Sequence, residues 1–143
     1  MTHALITGAN RGLGLEFVRQ LLARGERVIA ACRQPGRALE LTRLAGAHPG
    51  HLAVLPLSLP DPRSIAELVH EVGNLDLRVH LLINNAGFLV SGERFGTIEA
   101  KALRDCFAAN AEGPFLLTQA LAPRLAENAK VVNVSTGLAS IAG

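Results

Sequence analysis

The stretch Thr7-Gly8-Ala9-Asn10-Arg11-Gly12-Leu13-Gly14 sets three glycines between a short apolar run and an amphipathic one. Residues without a Cβ let a backbone turn tightly and bring its N–H groups against a phosphate. A helix that begins there points its positive end at the same charge. Gly8, Asn10, Arg11, Gly12, Leu13 and Gly14 are therefore candidate contacts for a pyrophosphate. A fold that grips an unphosphorylated ribose usually places an acid about 20 residues after such glycines. Here that place holds Cys32 followed by Arg33. A carboxylate would repel a ribose 2′-phosphate, whereas a guanidinium pairs with one through two parallel hydrogen bonds. Arg11 and Arg33 thus favour the phosphorylated ribose. Farther along, Pro114 follows Asn110 by four residues. It has no N–H for the Asn110 carbonyl and its ring crowds that oxygen, so a helix passing through should kink, with Gly113 easing the bend.

Positioning these groups requires an alternation of strands and helices, and the hydrophobic pattern supplies it. Strands are predicted over 4–7, 27–32, 52–57, 79–83 and 130–135. The run over 27–32 shows no polar alternation, as expected for a strand covered on both faces. A helix should start at Gly12, carry Leu15, Val18 and Leu22 on one face, and end at Gly25. A weaker helix is predicted over 37–44, stopped by the glycines of 46–50. Asp61 offers an N-cap and Pro62 a first-turn residue for a third helix, whose apolar face is Ile65, Leu68, Val69 and Val72. A long helix is expected over 98–126. This rhythm predicts an α/β fold of Rossmann type, a doubly wound parallel sheet with helices on both faces. With no internal repeat, low-complexity tract or linker, residues 1–143 are expected to form a single nucleotide-binding domain.

Composition narrows the partners. The formal charge is +2 and the arginines are scattered, so the basic stripe that nucleic-acid binding needs is absent. The apolar run near Met1 is too short for a signal-peptide core or a membrane span, and a cytoplasmic location without a membrane partner is expected. Cys32 and Cys106 are widely separated, which fits a reducing compartment better than a structural disulfide. His48 and His51 have no cysteine or acid beside them, and a solvated loop explains them better than a metal site.

The spacing T-G-x-x-x-G-x-G, the segment Asn84-Asn85-Ala86-Gly87 after the fourth strand, Asn110 in the long helix and the run Val131-Val132-Asn133-Val134-Ser135-Thr136 occur in that order. Together they resemble the short-chain dehydrogenase/reductase family across residues 2–143. Ala31-Cys32-Arg33-Gln34-Pro35 is most similar to its carbonyl-reductase and C-factor-like members. The glycine spacing differs from that of the extended branch of epimerases and dehydratases. The resemblance implies an NADP(H)-dependent oxidoreductase that moves a hydride between nicotinamide and a small carbonyl or alcohol substrate. By that likeness Asn85, Ala86 and Gly87 border the cofactor. Ser58, followed by Leu59, stands where the family often has an aspartate near the adenine, and a serine hydroxyl would bind there more weakly. Thr136 aligns with the family's catalytic serine, with Ser135 and Ser140 as other sources of the hydroxyl. Asn110 aligns with an asparagine whose carbonyl holds a water in a proton relay.

The family's proton donor is a tyrosine with a lysine four residues later. This sequence contains no tyrosine, and Lys101 and Lys130 stand at other places. The C-terminal part of the fold is therefore expected to be missing after the fifth strand, and the 143-residue chain alone to be inactive. The alternative is a non-catalytic NADP(H)-binding or sensing module. The long helix is a common subunit contact in the resembled family, implying a homodimer or homotetramer of the intact protein. Replacing Arg33 with alanine should cost roughly 1.5–3 kcal/mol of NADPH binding, the worth of a charge-assisted hydrogen-bonded pair. Calorimetric titration checks this, and tighter binding of NAD(H) than of NADP(H) would overturn the assignment.

Overall fold

The apolar runs become neighbouring strands of one parallel sheet. A computed structural model describes residues 2–85, 101, 104 and 108–134. Within them lie β1 (Thr2–Thr7), β2 (Val28–Cys32), β3 (Leu52–Pro56), β4 (Arg78–Asn84) and β5 (Leu125–Asn133). Every neighbouring pair is parallel, and the spatial order is β3-β2-β1-β4-β5. The helices are α1 (Gly12–Ala23), α2 (Leu39–Ala47), α3 (Pro62–Asn74) and α4 (Gly113–Leu121).

Successive residues of a strand point to opposite faces, and here both faces are covered. On one side Ala4, Ile6, Val28 and Ala30 pack with Leu15, Val18 and Leu22 of α1 and Leu41 of α2. On the other, Leu5, Ile29 and Leu82 pack with Ile65, Leu68 and Val72 of α3 and Leu117 and Leu121 of α4. That explains the uninterrupted apolar run of β2, all five of whose residues are buried. Each fully buried Leu or Ile contributes about 1.5–3 kcal/mol of transfer free energy, so the two layers hold the strand ends rigidly. The chain winds outward from β1 to β3, then returns to β4 on the far side of β1. The carboxyl ends of β1 and β4 mark the point where the strand order turns back, and ligands of such sheets bind in the crevice at that point.

Local signals set most boundaries. Gly25, at φ 81, follows the last turn of α1, and the Asp61 carboxylate accepts from the Arg63 N–H at 3.0 Å to cap α3. Several boundaries differ from expectation. The helix predicted to reach residue 126 ends at Leu121, and Ala122–Arg124 forms a 3-10 turn. Pro123 explains this, since it has no N–H for the Gln119 carbonyl four residues back, and that oxygen accepts from the Ala122 N–H in a tighter turn instead. The chain then enters β5 at Leu125, five residues before the predicted start at Lys130. Leu125 pairs with Val79 and Lys130 with Leu81, and the excess is taken up in an irregularity where Asn128 adopts φ 63. Likewise α2 starts at Leu39 after a 3-10 turn at Pro35–Arg37, and it runs through Gly46 to Ala47. Lys101 and Arg104 are helical. Ala108–Glu112 widens into a π turn ahead of Gly113 and Pro114, where the proline was expected to disturb the helix.

The amino ends of the strands, opposite the crevice, gather basic groups. His3 is buried in β1. Burial, and after it the charges of Arg27, the N-terminal amine, His80 and His51, hold its imidazole below the ordinary histidine range. The acid nearby is Glu26, whose Oε1 lies 3.6 Å from His80 Nε2. The unfolded chain therefore takes up a proton at His3 more readily than the folded one, so this contribution to stability is complete above the unfolded pKa of about 6.5 and is lost as pH falls below it. Melting temperature should drop between about pH 7.5 and about pH 5.5, and His3→Leu should flatten that dependence. An unchanged acid slope in the variant would place its source elsewhere.

Candidate functional site

At the carboxyl end of β1 the chain makes the turn that the glycine spacing demands. Gly8 and Gly12 lie at φ 57 and φ 58, in the left-handed region where a Cβ is strained. Gly14 is required for a different reason. It is buried in the first turn of α1, and a Cβ added there would strike the Gly8 carbonyl and lie 2.6 Å from Asn85 Nδ2. The helix thus presses directly on the turn that precedes it. The Ala9 N–H bonds the Ala31 carbonyl at 3.1 Å, tying the turn to the end of β2.

The amino end of α1 is left open. Arg11 occupies the N-cap position, its side chain makes no capping bond, and the first turn has no acidic residue. The contrast is α3, where Asp61 supplies the missing acceptor. A helix start carries roughly half a unit of positive charge and several N–H groups without intrahelical partners, so an anion is the natural complement.

Across the crevice, β4 is locked to this turn. Asn85 donates its backbone N–H to Thr7 Oγ1 at 2.9 Å and its side-chain amide to the Gly8 carbonyl at 3.4 Å. Beneath it Asn84, buried, donates to Asn133 Oδ1 at 2.9 Å and to Thr118 Oγ1 at 3.4 Å, and the Thr118 hydroxyl donates to the Pro114 carbonyl at 2.8 Å. Sequence reasoning did not single out Thr7, Asn84, Thr118 or Asn133 as partners. The available signals were slight: polar residues closing apolar strands, and a threonine four positions after a proline.

Charge at the rim is uncompensated. Arg11 and Arg33 are exposed and make no ion pair among the described residues, unlike Arg19, Arg43 and Arg124, which meet Glu40 or Asp76. Cys32 is buried at the end of β2. Burial pushes its thiol pKa up, against a smaller opposing backbone hydrogen bond at Gln34, so the group beside Arg33 stays neutral. The Leu57 N–H reaches the Cys32 carbonyl at 2.8 Å, bringing the end of β3 alongside. Ser58 follows, its N–H bonded to Ser64 Oγ at 2.8 Å, while Leu59 packs against the α3-side core.

The structure brings the glycine turn and Asn85 together, with Asn10 and Leu13 exposed beside them and Ser58 just past the end of β3. Asn110 is exposed within the π turn. Ala86, Gly87, Thr136, Ser135 and Ser140 lie outside the described residues. Among the described residues no three His, Cys or acidic side chains converge as metal ligands, and no helix is long and apolar enough to cross a membrane.

The family sequence model for short chain dehydrogenases matches residues 2–143, and the chain belongs to that family. Retinol dehydrogenase 12 of Mus musculus is 36% identical over 136 residues, covering 92% of this chain and 42% of the mouse protein. Among solved structures, the NADPH-bound carbonyl reductase from chicken fatty liver is 40% identical with a TM-score of 0.76, over 85% of this chain and 50% of that one. A carbonyl reductase from Pseudomonas aeruginosa in complex with NADP superposes with a TM-score of 0.87 at 30% identity, over 99% of this chain and 64% of that one. The chain thus spans about half the length of the relatives it matches.

Gly14→Ala should destabilise the protein by about 1–3 kcal/mol, the usual cost of overpacking, because its neighbours are backbone and a held amide. Gly36→Ala, into open space, should change stability by less than about 0.5 kcal/mol. Urea denaturation of the two variants checks the contrast, and equal midpoints would contradict the close packing at Gly14.

Proposed function

We propose that this chain is the NADP(H)-holding part of an oxidoreductase that moves a hydride between nicotinamide and a small carbonyl or alcohol substrate, residues 1–143 acting as one nucleotide-binding unit. The observation that carries this reading is the open amino end of α1, held against the crevice by Gly14, Gly8 and Asn85. When bound, the nicotinamide supplies or accepts the hydride. The chain's own residues bind and orient it. Backbone N–H groups of Gly12, Leu13 and Gly14 face the pyrophosphate, with Gly8 and Asn10 shaping the turn. Arg11 and Arg33 pair with the 2′-phosphate, and the neutral Cys32 leaves that charge intact. Ser58 and Leu59 flank the adenine, and Asn85, Ala86 and Gly87 border the rest of the cofactor. The NADPH and NADP complexes of the two carbonyl reductases support the choice of the phosphorylated cofactor.

On the substrate side, Thr136 would donate its hydroxyl to the substrate oxygen, stabilising the charge that develops there. Asn110 would anchor the solvent end of the proton path. The final donor, a tyrosine beside a lysine in the resembled pattern, is not among these 143 residues. It would come from the length of the relatives that this chain does not span.

Binding is followed through the fluorescence of the reduced nicotinamide itself. The intact protein should bind NADPH at least roughly tenfold more tightly than NADH, the equivalent of about 1.4 kcal/mol for the 2′-phosphate contacts. Binding of neither would end the proposal, and binding without turnover on a panel of aldehydes and ketones would favour the sensing module.

A further inference from the structure

We infer that the Thr118 hydroxyl is a positioning group that sets Asn110 by fastening the start of α4 to the ends of β4 and β5. This rests on the oxidoreductase reading, because it assigns Thr118 to the proton path of that reaction. Thr118 donates to the Pro114 carbonyl at 2.8 Å, four residues back. A hydroxyl bonded in this way bends a helix, since it adds a second claim on a carbonyl already in the helical ladder. Pro114, whose carbonyl takes this bond, stands two residues after the π turn Ala108–Glu112, which holds Asn110. The same oxygen accepts from Asn84 Nδ2 at 3.4 Å, and that amide group also donates to Asn133 Oδ1 at 2.9 Å. The link from Asn84 to Thr118 is the weak one, and the outer two are strong. Together they form a continuous chain from two strand ends into the distorted part of the helix.

Asn84 gives the independent reason to assign work to this network. It is only 4% exposed, and its Oδ1 is buried without a partner. A buried amide left half-satisfied is worse for stability than an apolar side chain of the same shape. Packing alone would favour leucine or methionine at this place. What the amide provides instead is direction: it holds Asn133 and Thr118 at fixed places beside the crevice. The apolar side of α4 is already secured by Leu117 and Leu121, both fully buried. The hydroxyl is therefore spare for folding and available to set the angle at which α4 meets the π turn.

The test compares Thr118→Val, which keeps the shape and removes the hydroxyl, with Thr118→Ser, which restores it, in the intact protein. Amide hydrogen exchange over residues 108–113 is read alongside kcat, its pH profile and the KM for NADPH. Thr118→Val should speed exchange in that segment and lower kcat by roughly tenfold, with a shifted pH profile and an unchanged KM for NADPH. Thr118→Ser should return all of these to the parent values. Parent-like exchange and pH profile in Thr118→Val would overturn the inference. So would a loss of kcat accompanied by faster exchange throughout the sheet, the mark of a structural role alone. If the parent protein neither binds NADPH nor turns over, the oxidoreductase reading fails by itself, and the exchange data still decide whether Thr118 holds the π turn.

Discussion

The first turn of α1 lies so close to the turn before it that no side chain fits between them. Gly14 meets the Gly8 carbonyl and the Asn85 amide, and this contact fixes three things at once: the angle at which α1 leaves the sheet, the path of the chain after β1, and the approach of the segment after β4. Thr7 completes the closure by accepting the Asn85 N–H. Because the strand order turns back between β1 and β4, the closure sits at the switch point where sheets of this kind take their ligands. The two buried layers keep the strand ends from shifting relative to each other, so the opening has a defined shape. Every later feature of the site is placed relative to it.

Electrostatics at the opening all point one way. The amino end of α1 has neither a side-chain cap nor an acid in its first turn. Arg11 stands at that end and Arg33 just beyond β2, and neither is neutralised by a carboxylate among the described residues. The buried thiol of Cys32 occupies the strand end without adding charge. Some arginines elsewhere on the surface do meet acids, as Arg19 meets Glu40 at 3.1 Å. Leaving positive charge unmatched costs little when it is exposed, and it gains a partner when a polyanionic ligand arrives. The opposite end of the sheet is basic as well, but through histidines and Arg27 around a buried imidazole, a setting that resists added charge instead of offering it.

The fold was legible in the sequence because its determinants are local. Strand runs covered on both faces show no alternation, Asp61 and Pro62 mark the start of α3, and Gly25 marks the end of α1. The glycine turn was legible for the same reason, its requirement being a property of each backbone position. What stayed hidden depends on contacts across the sheet. Nothing in the spacing says that Thr7 will meet Asn85, 78 positions away, or that Asn84 will meet Asn133, 49 positions away. The early end of the last helix followed from Pro123, a local signal outweighed by the apolar pattern that runs past it. The long entry into β5 depends on an irregular pairing with β4 that no single-strand pattern encodes.

The central claim is that a nicotinamide dinucleotide phosphate lies along the amino end of α1. Amide chemical shifts recorded during titration with NADP+ test it directly. The largest changes should fall on Gly8, Gly12, Leu13 and Gly14, with Arg33 following, while His3, His51 and His80 at the far end of the sheet stay in place. Changes concentrated at those histidines, or none at saturating ligand, would contradict the account.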